Sequence, residues 1–274
     1  MNFSMKNHEH QTNSIWNVSK KVVFLMLLLP LLALSQSNTE YGVFENALLI
    51  PNPAQITQFE KGITEHNKKY HGDGPYGVRV YWIANGPNTG NYVWVMGPSP
   101  WSAMDNRPTQ KDGHDVDWNT NVAPYMMANS GAQTYWRGQT ELSRFPKDFT
   151  IKKMAVDTWD IKRGKYEDAM KLVKKVHDVY AEKSPDETFG IYTNEFGSTK
   201  EGRDLAVISF FEKSAWLGED HSIAKKYDEM NGTGSWKQFL KDWMDVTNGG
   251  GTEIWIYRED LSGISGDVKV AERQ

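Results

Sequence analysis

The sequence predicts an α+β fold made of two copies of one unit, each with its elements in the order β-α-β-β-α-β. Three observations carry this. Two strand-like stretches, YGVFENALLI from Tyr41 and FTIKKMAVDTWDI from Phe149, each lead into an amphipathic helix. Each helix is followed by two alternating runs around a Gly/Asn-rich turn, the pattern of a hairpin. The two hairpins also match at a constant offset: Gly77 answers Gly190, and Tyr92-Val93-Trp94-Val95 answers Leu205-Ala206-Val207-Ile208.

Taken in order, the chain opens with an export signal. The only long apolar run, Val22 to Leu34, holds 13 residues. As a helix it would cover about 20 Å, short of a hydrocarbon core of about 30 Å. Pro30 weakens it further as a spanning helix. Lys20 and Lys21 precede it, and Ala33 and Ser35 follow in a small-x-small arrangement. This pattern predicts a signal peptide over residues 1–35, cleaved after Ser35. An uncleaved anchor is the alternative reading. After cleavage no stable membrane anchor is expected, and the protein would be periplasmic or secreted. The chain has no Cys, so no disulfides hold the remaining 239 or so residues; a chain of that size can rely on apolar burial alone.

The first unit is assigned to residues 36–146 and the second to 147–260. In the first helix Ile56, Phe59, Ile63, His66 and Tyr70 recur at spacings of 3 and 4, placing one stripe on one face. Tyr166, Ala169, Val173, Val176 and Tyr180 repeat those spacings in the second. Asn52-Pro53 is a start signal for the first helix. The hairpin turns fall at Asn85 to Gly90 and at Gly197 to Gly202. A second helix follows in each unit, where Trp118 and Tyr125 are spaced like Trp236 and Trp243, and the units close on QTYWRG and TEIWIYRED. Residues 261–274 form a polar tail, expected to be loosely ordered.

This element order is that of the ferredoxin-like unit. Its sheet carries helices on one face only, so the other face needs cover. Two such units packed sheet to sheet in one chain would supply it. The whole resembles the single-chain, tandem form of the dimeric α+β barrel superfamily. The resemblance implies a monomer, since both halves of the barrel are already present. It also implies a range of relatives, from cofactor-free monooxygenases and haem-handling enzymes to proteins without known activity.

No catalytic motif names a reaction. There is no G-x-S-x-G elbow, no phosphate-binding loop and no thiol nucleophile. The chain carries 31 basic and 35 acidic residues with no basic stripe, which argues against nucleic acid. His66 is the most suggestive residue, because it stands in an apolar stripe where the second unit has Val176. The resemblance would make it a haem ligand or a proton shuttle. The alternative is a half-buried histidine bonded to a backbone carbonyl. His114-Asp115-Val116-Asp117 groups three potential ligands, but adjacent groups on one loop rarely close a coordination sphere. A solvated loop is the preferred reading there, and no metal site is assigned.

Aromatic residues concentrate in the first unit, where Trp94 stands opposite Val207 of the second. Tyr81, Trp82, Trp94 and Trp118, with Arg79 as a carboxylate clamp, are therefore the expected lining of a cleft for a small apolar or aromatic ligand. Ordinary core packing is the competing explanation for them. Three functions follow: a small-ligand-binding protein, an enzyme of the monooxygenase or haem-handling type using His66, and a structural module. No cofactor is predicted outright, and haem is the one the resemblance admits.

Overall fold

The computed structural model describes residues 40–109, 112–197 and 202–270. The expected signal segment, residues 1–35, lies outside them, as does most of the 197–202 turn. The elements run β1 (Gly42–Leu49), α1 (Ile56–Tyr70), β2 (Val78–Ile83), β3 (Tyr92–Pro100), α2 (Trp101–Met104), α3 (His114–Asn121) and β4 (Ala132–Gly138). They continue with β5 (Phe149–Thr150), β6 (Lys153–Ile161), α4 (Tyr166–Lys183), β7 (Phe189–Asn194), β8 (Leu205–Phe211), α5 (Ile223–Asn231), α6 (Ser235–Val246), β9 (Thr247–Tyr257) and β10 (Asp267–Val268). Among the described residues no helix is long and apolar enough to cross a membrane.

Eight strands close into a barrel in the order β1-β3-β2-β9-β6-β8-β7-β4, every neighbouring pair antiparallel. The facing sheets expected from the sequence are thus also joined along both edges. One join pairs Tyr81 with Tyr257 and Ile83 with Trp255. The other pairs Trp136 with Asn194 and Gly138 with Tyr192. Closure leaves neither sheet with an open edge, which removes the usual risk of pairing with another chain.

Side-chain alternation sorts each strand between two cores. In β1, Val43, Glu45, Ala47 and Leu49 are buried at every second position. Ala47 and Leu49 join Phe59 and Ile63 of α1 in one core, between helices and sheet. Tyr81, Ile83 and Val93 meet Met154, Val156 and Trp255 in another, which fills the barrel. A third, formed around Val173, Phe189, Leu205 and Phe239, lies under α4 and α6. The 3–4 spacing of α1 buries Phe59, Ile63 and His66 and leaves Ile56 at the exposed end of the stripe. Asn52 caps the approach to this helix by accepting from the Ala54 N–H.

Two expectations are corrected. The tail is ordered through Val270. Leu261 is 1% exposed, Ser262 Oγ accepts from the buried Val80 N–H, and β10 pairs with β5. These backbone and hydroxyl partners hold a polar segment that hydropathy alone leaves in water. His114-Asp115-Val116-Asp117 is the first turn of α3 rather than a solvated loop. Its carboxylates suit a helix N-terminus, and its two inward side chains find partners on α1.

Candidate functional site

Three imidazoles converge where the end of α1 meets the start of α3. His66 continues the buried stripe of α1 and is fully enclosed. His71 is the residue at which that helix stops, its N–H bonded to the Asn67 carbonyl, and its ring is 2% exposed. His114 opens α3 directly after Gly113, whose φ of 78° lets the chain swing into the helix. Its side chain is 19% exposed and forms the cluster's contact with water. Ring centroids lie 4.7 Å apart for His66 and His114, and 5.3 Å for each of the other two pairs.

Each imidazole has its Nδ1 taken by an oxygen. His66 Nδ1 lies 2.7 Å from Asp117 Oδ2, His71 Nδ1 lies 2.8 Å from the Tyr76 carbonyl, and His114 Nδ1 lies 2.9 Å from Asp115 Oδ1. A carbonyl can only accept, so His71 carries its proton on Nδ1. The Nε2 atoms of His71 and His114 stand 3.3 Å apart. His66 Nε2 is buried and has no hydrogen-bond partner among the described residues; leaving a buried polar atom unpaired costs about 1–3 kcal/mol.

Burial pushes the His71 imidazole down to about 3, against the opposing pull of the Tyr76 carbonyl. Burial likewise lowers His66, and the Asp117 hydrogen bond works the other way. For Asp117 itself burial acts upward, but hydrogen bonds from His66 and Asn121 prevail and hold it below the ordinary carboxylate range. Burial thus disfavours the charged form of both His66 and His71, one backed by the Asp117 carboxylate and the other by a backbone carbonyl.

Two of the expected lining residues lie here. Trp118 packs against His66 at 5.1 Å and Trp94 against His71 at 5.1 Å. Trp94 Nε1 also donates to Asn67 Oδ1, fixing the residue beside His66. Trp82 shares this helix-side core. Tyr81 is on the opposite face, inside the barrel against Trp255 and Tyr257. Arg79 does not stand free as a clamp: it donates to the Ser265 and Asp267 carbonyls. One sheet separates these two from the cluster, because neighbouring positions on β2 point to opposite faces.

Sequence reasoning missed His71, His114 and Asp117 as partners of His66. It also missed Glu45, a fully buried carboxylate held by Arg107 at 2.8 Å and by Gln133 at 3.0 Å. Glu45 left a signal, as an acid at one of the alternating apolar positions of its strand.

The family resemblance raises haem, and His66 is where it would have to bind. That imidazole is fully buried, Nε2 included, with the His71, His114 and Trp118 rings packed at 5.3, 4.7 and 5.1 Å from it. A porphyrin needs an open plane before its ligand nitrogen, so these residues as packed do not fit one. Haem bound to this chain would need its ligand elsewhere.

No family model matches the sequence, and no curated protein matches it. Solved structures do. A candidate monooxygenase from Fusobacterium nucleatum is 12% identical, with 85% of this chain and 100% of that chain covered at a TM-score of 0.50. A candidate monooxygenase from Lactobacillus acidophilus is 14% identical over 85% and 100%, with a TM-score of 0.48. A chlorite dismutase variant from Candidatus Nitrospira defluvii is 11% identical over 81% and 93%, with a TM-score of 0.47. The chain has the dimeric α+β barrel fold. At these identities the likeness is one of fold alone, and the site has to speak for the chemistry.

Proposed function

We propose that this protein is an enzyme acting on a small organic molecule at the His66–His71–His114 cluster. The observation that supports it is the fully buried His66 imidazole. Asp117 orients its Nδ1, and its Nε2 is left free toward two further imidazoles. An imidazole held by a carboxylate with its second nitrogen uncommitted is the arrangement of a working base or ligand. As core packing it is an expensive choice, since Val176 fills the matching place in the second half.

Two ferredoxin-like units in tandem, residues 36–146 and 147–260, fit this reading. Strands β4-β1-β3-β2 and β9-β6-β8-β7 follow the same order. Among the described residues the buried carboxylate and imidazole side chains, Glu45, His66 and His71, fall in the first of them. The second half would then serve as scaffold. Export as a signal-cleaved monomer completes the proposal, resting on the N-terminal apolar run and on a barrel that one chain closes.

The reaction class to test first is oxygen-dependent conversion of electron-rich aromatic compounds, in keeping with the candidate monooxygenases of the same fold. Oxygen uptake would be followed for the purified protein and for His66→Gln over a panel of phenols and quinols. Uptake that depends on the compound and falls at least tenfold in the variant is the expected result. A compound bound without turnover would favour a small-ligand-binding protein instead, a reading that Trp94 and Trp118 at the cluster support. Neither binding nor turnover across the panel, with haem titrated in parallel, would sink both.

A further inference from the structure

We infer that the three Nε2 atoms of His66, His71 and His114 bind a divalent transition-metal ion. This deepens the enzyme reading above and rests on the same cluster being its working site. All three residues offer a ligand nitrogen, and those nitrogens lie within 4.8 Å of one another. Tetrahedral coordination at metal–nitrogen distances of about 2.0–2.1 Å asks for nitrogens about 3.3–3.4 Å apart. The His71–His114 pair already stands at 3.3 Å. Side-chain rotations on the scale of an ångström bring in the rest.

Tautomer chemistry makes the case stronger than proximity does. With Nδ1 protonated and donating to an oxygen, each imidazole turns a bare lone pair inward. Two such lone pairs at 3.3 Å repel unless a cation or a proton lies between them. The three Nδ1 partners, Asp117, the Tyr76 carbonyl and Asp115, are the kind of outer ligands that orient metal-binding histidines and raise their basicity. The C-terminus of α1, where His66 and His71 sit, favours positive charge. Three imidazole donors, with no thiolate and no direct carboxylate, suit zinc, copper, nickel or iron over magnesium or calcium.

Three protein ligands leave a coordination position to fill. His114, 19% exposed, is the side on which water reaches the cluster. That is the design of a catalytic rather than a sealed structural site. The ion would act there as a Lewis acid toward a small molecule or a bound water.

The test is a titration of chelator-treated, tag-free protein, with Zn²⁺ followed by calorimetry and Co²⁺ by visible absorption. One ion per chain is expected, with Co²⁺ bands of low coordination number. His114→Ala and His71→Ala should each lower affinity at least tenfold. Asp117→Asn, which keeps the shape but not the charge behind His66, should lower it by about 10–100-fold. His221→Ala, in the second half, should leave it unchanged. A measurement on the unaltered chain guards against variants that fail to fold: ¹⁵N spectra should show the three Nε2 resonances shifting together as Zn²⁺ is added. No stoichiometric ion, unmoved Nε2 resonances, or affinity indifferent to both alanine variants would each overturn the inference. Stoichiometric ion binding without any small-molecule turnover would leave the metal site standing and remove the enzyme reading. Turnover undiminished in protein that holds no ion would do the reverse.

Discussion

Asp228 shows how much one carboxylate does between two helices. It lies in α5, yet its oxygens accept from the Gly234 N–H, the Trp236 N–H and the Ser235 hydroxyl at the start of α6. The first N–H groups of a helix have no partner within it, and this side chain supplies one. The backbone donors at Trp236 and Gly234 hold its pKa below the ordinary value. A depressed carboxylate contributes stability above its unfolded pKa, about 3.9, and loses it as pH falls through the lower folded value. Asp228→Ala should therefore lower Tm at neutral pH, and the gap to the unaltered protein should close on acidification below pH 4. A gap constant from pH 7 to pH 3 would refute the charge-based account. At this scale the sequence was partly legible. His66 stood out because a polar residue broke an apolar stripe of known period. His71 belongs to no period: it lies at the helix end, and only the fold of the following turn under the Tyr76 carbonyl makes it part of a site.

Packing of α1 on α3 decides whether the histidines meet, and Gly62 is the contact point. A Cβ added there would sit 1.8 Å from the Asn121 carbonyl oxygen and 2.8 Å from its carbon. Helix propensity favours alanine over glycine by about 0.5–1 kcal/mol, but a backbone carbonyl cannot yield as a flexible side chain can. Gly62→Ala should lower Tm and weaken Zn²⁺ binding together, because it parts the helix bearing His66 and His71 from the one bearing His114. Ile63→Val, one position on, should cost about 0.5–1.5 kcal/mol by lost burial and leave the ion affinity near that of the unaltered chain. A Gly62→Ala protein as stable as its parent would mean that the two helices do not touch as described. The C-terminal segment braces the same helix. Asn67 donates to the Leu261 carbonyl, and Leu261→Ala should destabilise by about 2–5 kcal/mol as a core truncation, read by denaturant unfolding. Periodicity revealed which face of α1 was buried, but not what would cover it. The helix that does so spans only two turns, and although a helix was expected around Trp118, its first turn, His114 to Asp117, looked like a solvated loop.

At the level of the whole molecule, matched spacings along the chain pointed to two similar units, whereas no spacing pointed to closure. The joins of β2 to β9 and of β4 to β7 are made by strands far apart in sequence, and no local pattern marks them. Closure has an energetic consequence. The barrel interior takes Tyr81, Ile83 and Val93 from one half and Met154, Val156 and Trp255 from the other, so neither half can bury its inner face alone. Residues 41–270 should unfold in one cooperative step, with Trp fluorescence and circular dichroism giving the same midpoint. Ion binding offers a sharper test of that coupling. A ligand that binds only the folded state stabilises it by about 2.7 kcal/mol at a hundredfold excess over Kd. The proposed site lies wholly in the first half, so a coupled barrel passes that gain to the second. Amide exchange should then slow in α4 and α6 as well as in α1 when Zn²⁺ is added. Protection confined to α1, α3 and their strands would show two halves that open independently, joined at their edges but not stabilised as one.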